Sequence, residues 1–144
     1  MAPPTALGPV IALLTQPGQA PNSSYVPASY VKWLEAAGAR VVHLGFHATN
    51  QDVDNLFQKV NGALMPGGDG DVPPAARRIY ALAKDAFYNH NDPFPIWGTC
   101  DGFEWLMQIA ADDDTVLTPD WDAENISLPL RFTPAAERSA LLAE

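Results

Sequence analysis

The sequence predicts an α/β fold, a parallel sheet with helices on both faces, and three observations predict it. Short apolar runs without polar alternation, such as Val10–Leu14, read as strands buried on both faces. The segments between them place apolar residues at helical spacing. The two kinds of segment alternate steadily as far as the helix that begins at Gly102, which argues for parallel strands joined by helical crossovers.

Taken in order, the first strand is Val10–Leu14, followed by a loop over residues 16–24 that is rich in Pro, Gly, Asn and Ser. A helix over 27–37 carries Tyr30, Val31, Leu34 and Ala37 on one face, and Gly38 is placed to end it. The second strand is Arg40–Leu44. The second helix, 51–60, aligns Val53, Leu56, Phe57 and Val60. A third strand, Gly62–Met65, runs into Pro66-Gly67-Gly68-Asp69-Gly70-Asp71, a stretch that breaks any regular element. A third helix over 74–89 puts Ile79, Leu82, Ala83 and Phe87 together. The fourth strand is 94–97, and a fourth helix begins at Gly102. In the tail, 115–117 and 127–130 read as short strands and the last ten residues as a helix start. No repeat or linker divides residues 1–144, which are expected to form a single, incomplete domain.

With 144 residues, 47% of them apolar, the chain is long enough to bury a core. Its net charge of −9 argues against a nucleic-acid partner, because phosphate binding wants a basic surface. No run of 18 apolar residues is present to span a membrane. The single cysteine excludes an internal disulfide.

That cysteine, Cys100, lies in Gly98-Thr99-Cys100-Asp101-Gly102, between the fourth strand and the fourth helix. A G-x-C-x-G turn in this context is the thiol form of a nucleophile elbow. Gly98 and Gly102, having no Cβ, let strand and helix pack closely around one strained residue. The helix N-terminus offers partial positive charge and free N–H groups, which suit an anionic sulfur and can cradle an oxyanion. A buried structural cysteine is the alternative for a lone cysteine, and the two glycines argue against it. In open parallel sheets ligands bind beyond the carboxyl ends of the strands. The 16–24 loop, the 66–71 loop and the Cys100 turn all fall at such ends. Backbone N–H groups of Gly67 or Gly68, with that of Asp101, are the expected oxyanion donors. An ordinary loop is the alternative for Pro66-Gly67-Gly68, and a phosphate loop is disfavoured because no Gly-Lys-Ser/Thr follows.

Trp97-Gly98-Thr99-Cys100-x-Gly102-Phe103-Glu104 resembles the elbow of the γ-glutamyl hydrolases, cysteine peptidases of the class I glutamine-amidotransferase-like superfamily. Tyr25 through Glu35, with Ala37-Gly38-Ala39-Arg40-Val41-Val42, resembles that family's first helix and second strand. Asn61-Gly62-x-Leu64-x-Pro66-Gly67-Gly68 resembles its third strand and oxyanion loop, and Pro129-Leu130-x-Phe132-Thr133 its segment after the elbow. The likeness covers residues 9–134. It implies a flavodoxin-like sheet, an acyl-enzyme on Cys100, γ-glutamyl amides of folate poly-γ-glutamates as substrate, and no cofactor or metal. It also implies a vacuolar, lysosomal or extracellular setting, and it leaves a homodimer open.

Two departures accompany the likeness. The family's catalytic histidine lies in a Trp-His-Pro-Glu type segment of its C-terminal half, and this sequence has no such segment. His43, His47 and His90 are poor substitutes by position. Asp101 stands where the family usually has an apolar residue, and a carboxylate beside the sulfur would work against its anion. Glu104, one helical turn beyond Cys100, is carried over as a substrate contact, and a solvated helix glutamate is the alternative. Tyr25 is carried over as a pocket wall, and packing at the loop base is the alternative. Trp33, Trp97 and Trp105 are expected in the core or at the helix–sheet interface. Another thiol amidohydrolase or glutamine-amidotransferase-like domain, and an inactive remnant that binds glutamyl ligands, are the competing functions.

Overall fold

The strand with the most continuous apolar run takes the middle of the sheet. β1 (Val10–Leu14) pairs in parallel with β4 (Arg40–Leu44) on one side and β5 (Gly62–Met65) on the other. β6 (Ile96–Gly98) pairs in parallel with β5, which gives the order β4-β1-β5-β6. The structure, a computed structural model, describes residues 8–118, 122 and 125–139. The remaining elements are β2 (Gln16–Pro17), β3 (Ser24–Tyr25), α1 (Ala28–Ala36), α2 (Asn50–Phe57), α3 (Pro74–His90), α4 (Asp101–Ala111) and a 3₁₀ turn at Pro134–Arg138. This is the expected parallel α/β arrangement.

Strand alternation divides the core between two layers. Ala12, Leu14, Ala63 and Met65 join Val53 of α2, Ala75, Ala76 and Ile79 of α3, and Trp105 of α4 in one buried cluster. Leu13 and Leu64 are buried as well, at neighbouring positions of the register. Beside them an apolar groove of ≈ 370 Å³ is lined by Trp33 and Leu34 of α1 with Ile96 and Trp97 of β6. Trp33 and Trp97 meet edge to face at 6.1 Å, and each remains about half exposed. Of these three tryptophans, Trp105 lies in the core at 1% exposure, while Trp33 of α1 and Trp97 of β6 meet at the helix–sheet interface.

The helices start and stop for local reasons. Thr49 caps α2 in a reciprocal box with Asp52, and those hydrogen bonds hold the Asp52 carboxyl below its usual range. Pro74 opens α3, where a missing N–H costs nothing, and Asn91 closes it at φ 53°. Arg78 of α3 grips Asp54 of α2 through two hydrogen bonds of 2.6 and 2.8 Å.

Three local expectations differ from the structure. Residues 16–24 are more than a loop, because Gln16–Pro17 and Ser24–Tyr25 form a small antiparallel ribbon. The expected strands at 115–117 and 127–130 have no pairing partner among the described residues and are not strands. Leu128 and Leu130 are each 78% exposed, and Pro129 lacks the N–H that a ladder needs. The expected helix start over the last ten residues is a 3₁₀ turn at Pro134–Arg138, and residues 140–144 lie outside the described part.

Candidate active site

Register brings the two candidate segments together. Met65 pairs with Gly98, so the chain leaving β5 at Pro66 and the chain leaving β6 at Thr99 depart side by side. Thr99 N–H donates to Met65 O at 3.1 Å, and Gly102 N–H donates to Pro66 O at 3.1 Å. The 66–71 loop and the cysteine turn therefore occupy neighbouring strand ends, as the sequence suggested.

Cys100 stands at the N-cap of α4 with φ 54° and ψ −122°, a backbone region that costs a non-glycine residue on the order of 1–3 kcal/mol. It is exposed, so its thiol is open to solvent. Its carbonyl accepts from Phe103 N–H at 2.8 Å and Glu104 N–H at 3.1 Å, which fixes the turn from the helix side. Both flanking glycines are required. A Cβ on Gly98 would lie 2.5 Å from Gly102 O, and one on Gly102 would lie 2.2 Å from Met65 O. Strand and helix approach so closely that the residue between them is pushed into its strained turn.

The loop lies against the thiol. A Cβ on Gly67 would sit 3.0 Å from Cys100 Cβ and 3.6 Å from its Sγ. Gly67 N–H, however, already donates to the Tyr30 hydroxyl at 2.9 Å. Gly68 N–H and Asp101 N–H have no acceptor among the described residues. Of the donors that the sequence suggested, these two are the free pair.

The Asp101 carboxylate is taken up by Gln16 and the 66–71 loop. Its Oδ2 accepts from Gln16 Nε2 at 3.1 Å and from Gly70 N–H at 3.3 Å. Burial pushes this carboxyl above its ordinary value of 3.8, the Gly70 and Gln16 hydrogen bonds pull it partly back, and Asp69 and Asp71 push it further up. A carboxyl raised by folding contributes stability that is complete below its unfolded pKa and is lost as pH rises through its folded pKa. Asp101→Asn should therefore gain on the parent chain as pH climbs from 3 to 7, as measured by denaturant unfolding at each pH. The depressed carboxyls of Asp52, Asp54 and Asp113 have the opposite sign but are common to both proteins and cancel. A stability difference independent of pH would contradict this account of Asp101.

Glu104 is exposed and lines an acidic cleft of ≈ 300 Å³ with Asp69, Asp71 and Asp101. Tyr25, 50% exposed, lines a separate groove of ≈ 690 Å³ with residues of the β2–β3 ribbon and Asp69. Asp69 borders both, so the two hollows flank the 66–71 loop. None of the three histidines hydrogen-bonds to Cys100. His43 is on β4, at the opposite edge of the sheet from β6; His47 packs on Phe46; His90 faces Asp85 at 3.4 Å at the far end of α3. Among the described residues no group of three or more His, Cys, Asp or Glu side chains is placed to hold a metal ion.

Residues 9–112 match the peptidase C26 family. The chain belongs to that family. Among curated C26 relatives, "Gamma-glutamyl hydrolase B" of Dictyostelium discoideum is 39% identical over 144 aligned residues, covering 93% of this chain and 41% of the relative. "Gamma-glutamyl hydrolase" of Homo sapiens is 39% identical over 90% of this chain and 43% of its own length. The Bos taurus protein of the same name is 36% identical over 96% of this chain and 46% of its own. The chain thus spans less than half the length of these C26 relatives.

Two polar residues of this candidate site escaped the sequence reading. Tyr30 stood in the apolar stripe of the first helix, yet its hydroxyl reaches Gly67. Gln16 opened a presumed loop, yet it is fully buried and donates to Pro66 O at 3.1 Å as well as to Asp101. The one available signal was a polar side chain two positions after a buried strand.

Proposed function

We propose that this chain carries the nucleophile portion of a γ-glutamyl hydrolase, cleaving γ-linked glutamyl amides such as folate poly-γ-glutamates through an acyl-enzyme on Cys100. The observation that carries the reading is the exposed cysteine with a strained backbone at a strand-to-helix junction, with Gly67 of the 66–71 loop packed against it. The names of the C26 relatives supply the bond type.

In this reading Cys100 Sγ attacks the γ-carbonyl carbon. A C–S bond forms and the carbonyl π pair moves onto oxygen, where Gly68 N–H and Asp101 N–H receive it. Collapse restores the carbonyl, breaks the C–N bond and releases the amine, which takes up a proton. Water then adds to the thioester, and expulsion of the thiol frees the γ-carboxylate. Tyr30, by engaging Gly67 N–H, leaves Gly68 as the loop's donor. Glu104 can accept an N–H of the glutamyl backbone but would repel its carboxylates, so the acidic cleft is a poor seat for a polyglutamate tail. Tyr25 offers an aromatic wall in the larger groove for the rest of the substrate.

The lack of any histidine contact to Cys100 favours a second reading, a chain that is acylated or binds glutamyl ligands without efficient turnover. Burst kinetics with p-nitrophenyl esters test the main one, since a nitrophenolate leaving group needs no protonation. Acylation by an N-acyl γ-glutamyl ester should clearly outpace acylation by its α-linked isomer. Equal burst rates, or no burst, would remove the γ-glutamyl assignment.

A further inference from the structure

An acidic residue in the first turn of a helix ordinarily points into water and complements the helix dipole. Asp101 does otherwise. Its side chain turns back so that Oδ2 takes Gly70 N–H and Gln16 Nε2. The other end of the loop is held as well. Pro66 O accepts from both Gly102 N–H and Gln16 Nε2, each at 3.1 Å. Gly70 is gripped a second time through its carbonyl, which accepts from Trp105 Nε1 at 2.8 Å.

The Gln16 side chain joins these anchors beneath the loop. A Cβ on Gly68 would lie 2.1 Å from Gln16 Cδ, so Gly68 rests directly on the Gln16 amide. Asp101 thus holds Gly70 directly and the floor under Gly68 through Gln16, while its own N–H is the second free donor beside the thiol. The arrangement costs stability in two ways. A carboxylate is partly desolvated near Asp69 and Asp71, and Gln16 Oε1 is buried without a hydrogen-bond partner among the described residues. A contact kept only to hold the fold together would not need either.

We propose that the Asp101 carboxylate is a positioning residue that sets the Gly68 N–H against Cys100, acting through Gly70 and Gln16. This rests on the reading of Cys100 as the nucleophile. It assigns the departure from an apolar residue at this position a function rather than a defect.

The test compares two reactions of the same thiol in the parent chain, Asp101→Ala and Asp101→Asn. Acylation by the γ-glutamyl p-nitrophenyl ester forms an S–acyl bond, expels nitrophenolate and passes through an oxyanion. Alkylation by iodoacetamide forms an S–CH2 bond, expels iodide and passes through none. Their rate ratio cancels changes in thiol ionisation and access and reports the donors alone. Asp101→Ala should lower the ratio roughly tenfold, part of what losing a whole oxyanion donor costs. Asp101→Asn keeps an oxygen for Gly70 N–H and should recover most of it, at a thermal midpoint at pH 7 equal to or above the parent's. An unchanged ratio in Asp101→Ala, or an Asn variant no better than the Ala variant, overturns the proposal. A parent chain that alkylates but does not acylate overturns the nucleophile reading and this inference together.

Discussion

Replacing Gly102 by alanine is expected to destabilise the chain by about 3 kcal/mol or more, above the usual range for an overpacked core. The added Cβ would lie 2.2 Å from Met65 O and 2.5 Å from Met65 C, which are backbone atoms of a buried strand and cannot swing aside. Either α4 lifts from β5 or β5 moves within the sheet. Lifting α4 breaks the Gly102–Pro66 hydrogen bond and separates the cysteine turn from its loop. Denaturant unfolding should show the loss, and Cys100 acylation should fall further than the folded fraction does. A variant with parental stability would mean that strand and helix are not held at this distance.

The second large effect concerns turnover. Nucleophile and base act as a unit, so a thiol with no imidazole in contact is expected to turn over a diglutamyl folate at least ~10³-fold more slowly than a relative of full length. His43, His47 and His90 have other surroundings, and none is bonded to Cys100. Glutamate release by the purified 144-residue chain, beside the human relative, measures this. Robust release that Cys100→Ala abolishes would show that one of the three histidines supplies the base.

Periodicity made the sheet and its helices legible. Val10–Leu14 and Gly62–Met65 are apolar throughout because both lie inside the sheet, and Ile79 and Ala83 repeat at the spacing that buries one face of α3. Gly98 and Gly102 were legible for a similar reason, since close backbone approach leaves a mark in residue type. What sequence reading missed depends on contacts between distant segments. Tyr30 and Gly67 are 37 residues apart, and Gln16 and Asp101 are 85 apart. Neither pair leaves a local pattern. The β2–β3 ribbon has only two residues in each strand, too few for alternation to register. Residue type placed Trp33 and Trp97 in the core or at the helix–sheet interface; they sit at that interface, and the position of β6 at the edge of the sheet leaves them half exposed.

Peptide mapping of the chain quenched during its reaction with the γ-glutamyl p-nitrophenyl ester tests the central claim most directly. The account predicts one acyl group per chain, carried by the peptide containing Cys100 and absent from Cys100→Ala. Acylation elsewhere, or a burst that survives in Cys100→Ala, would contradict it.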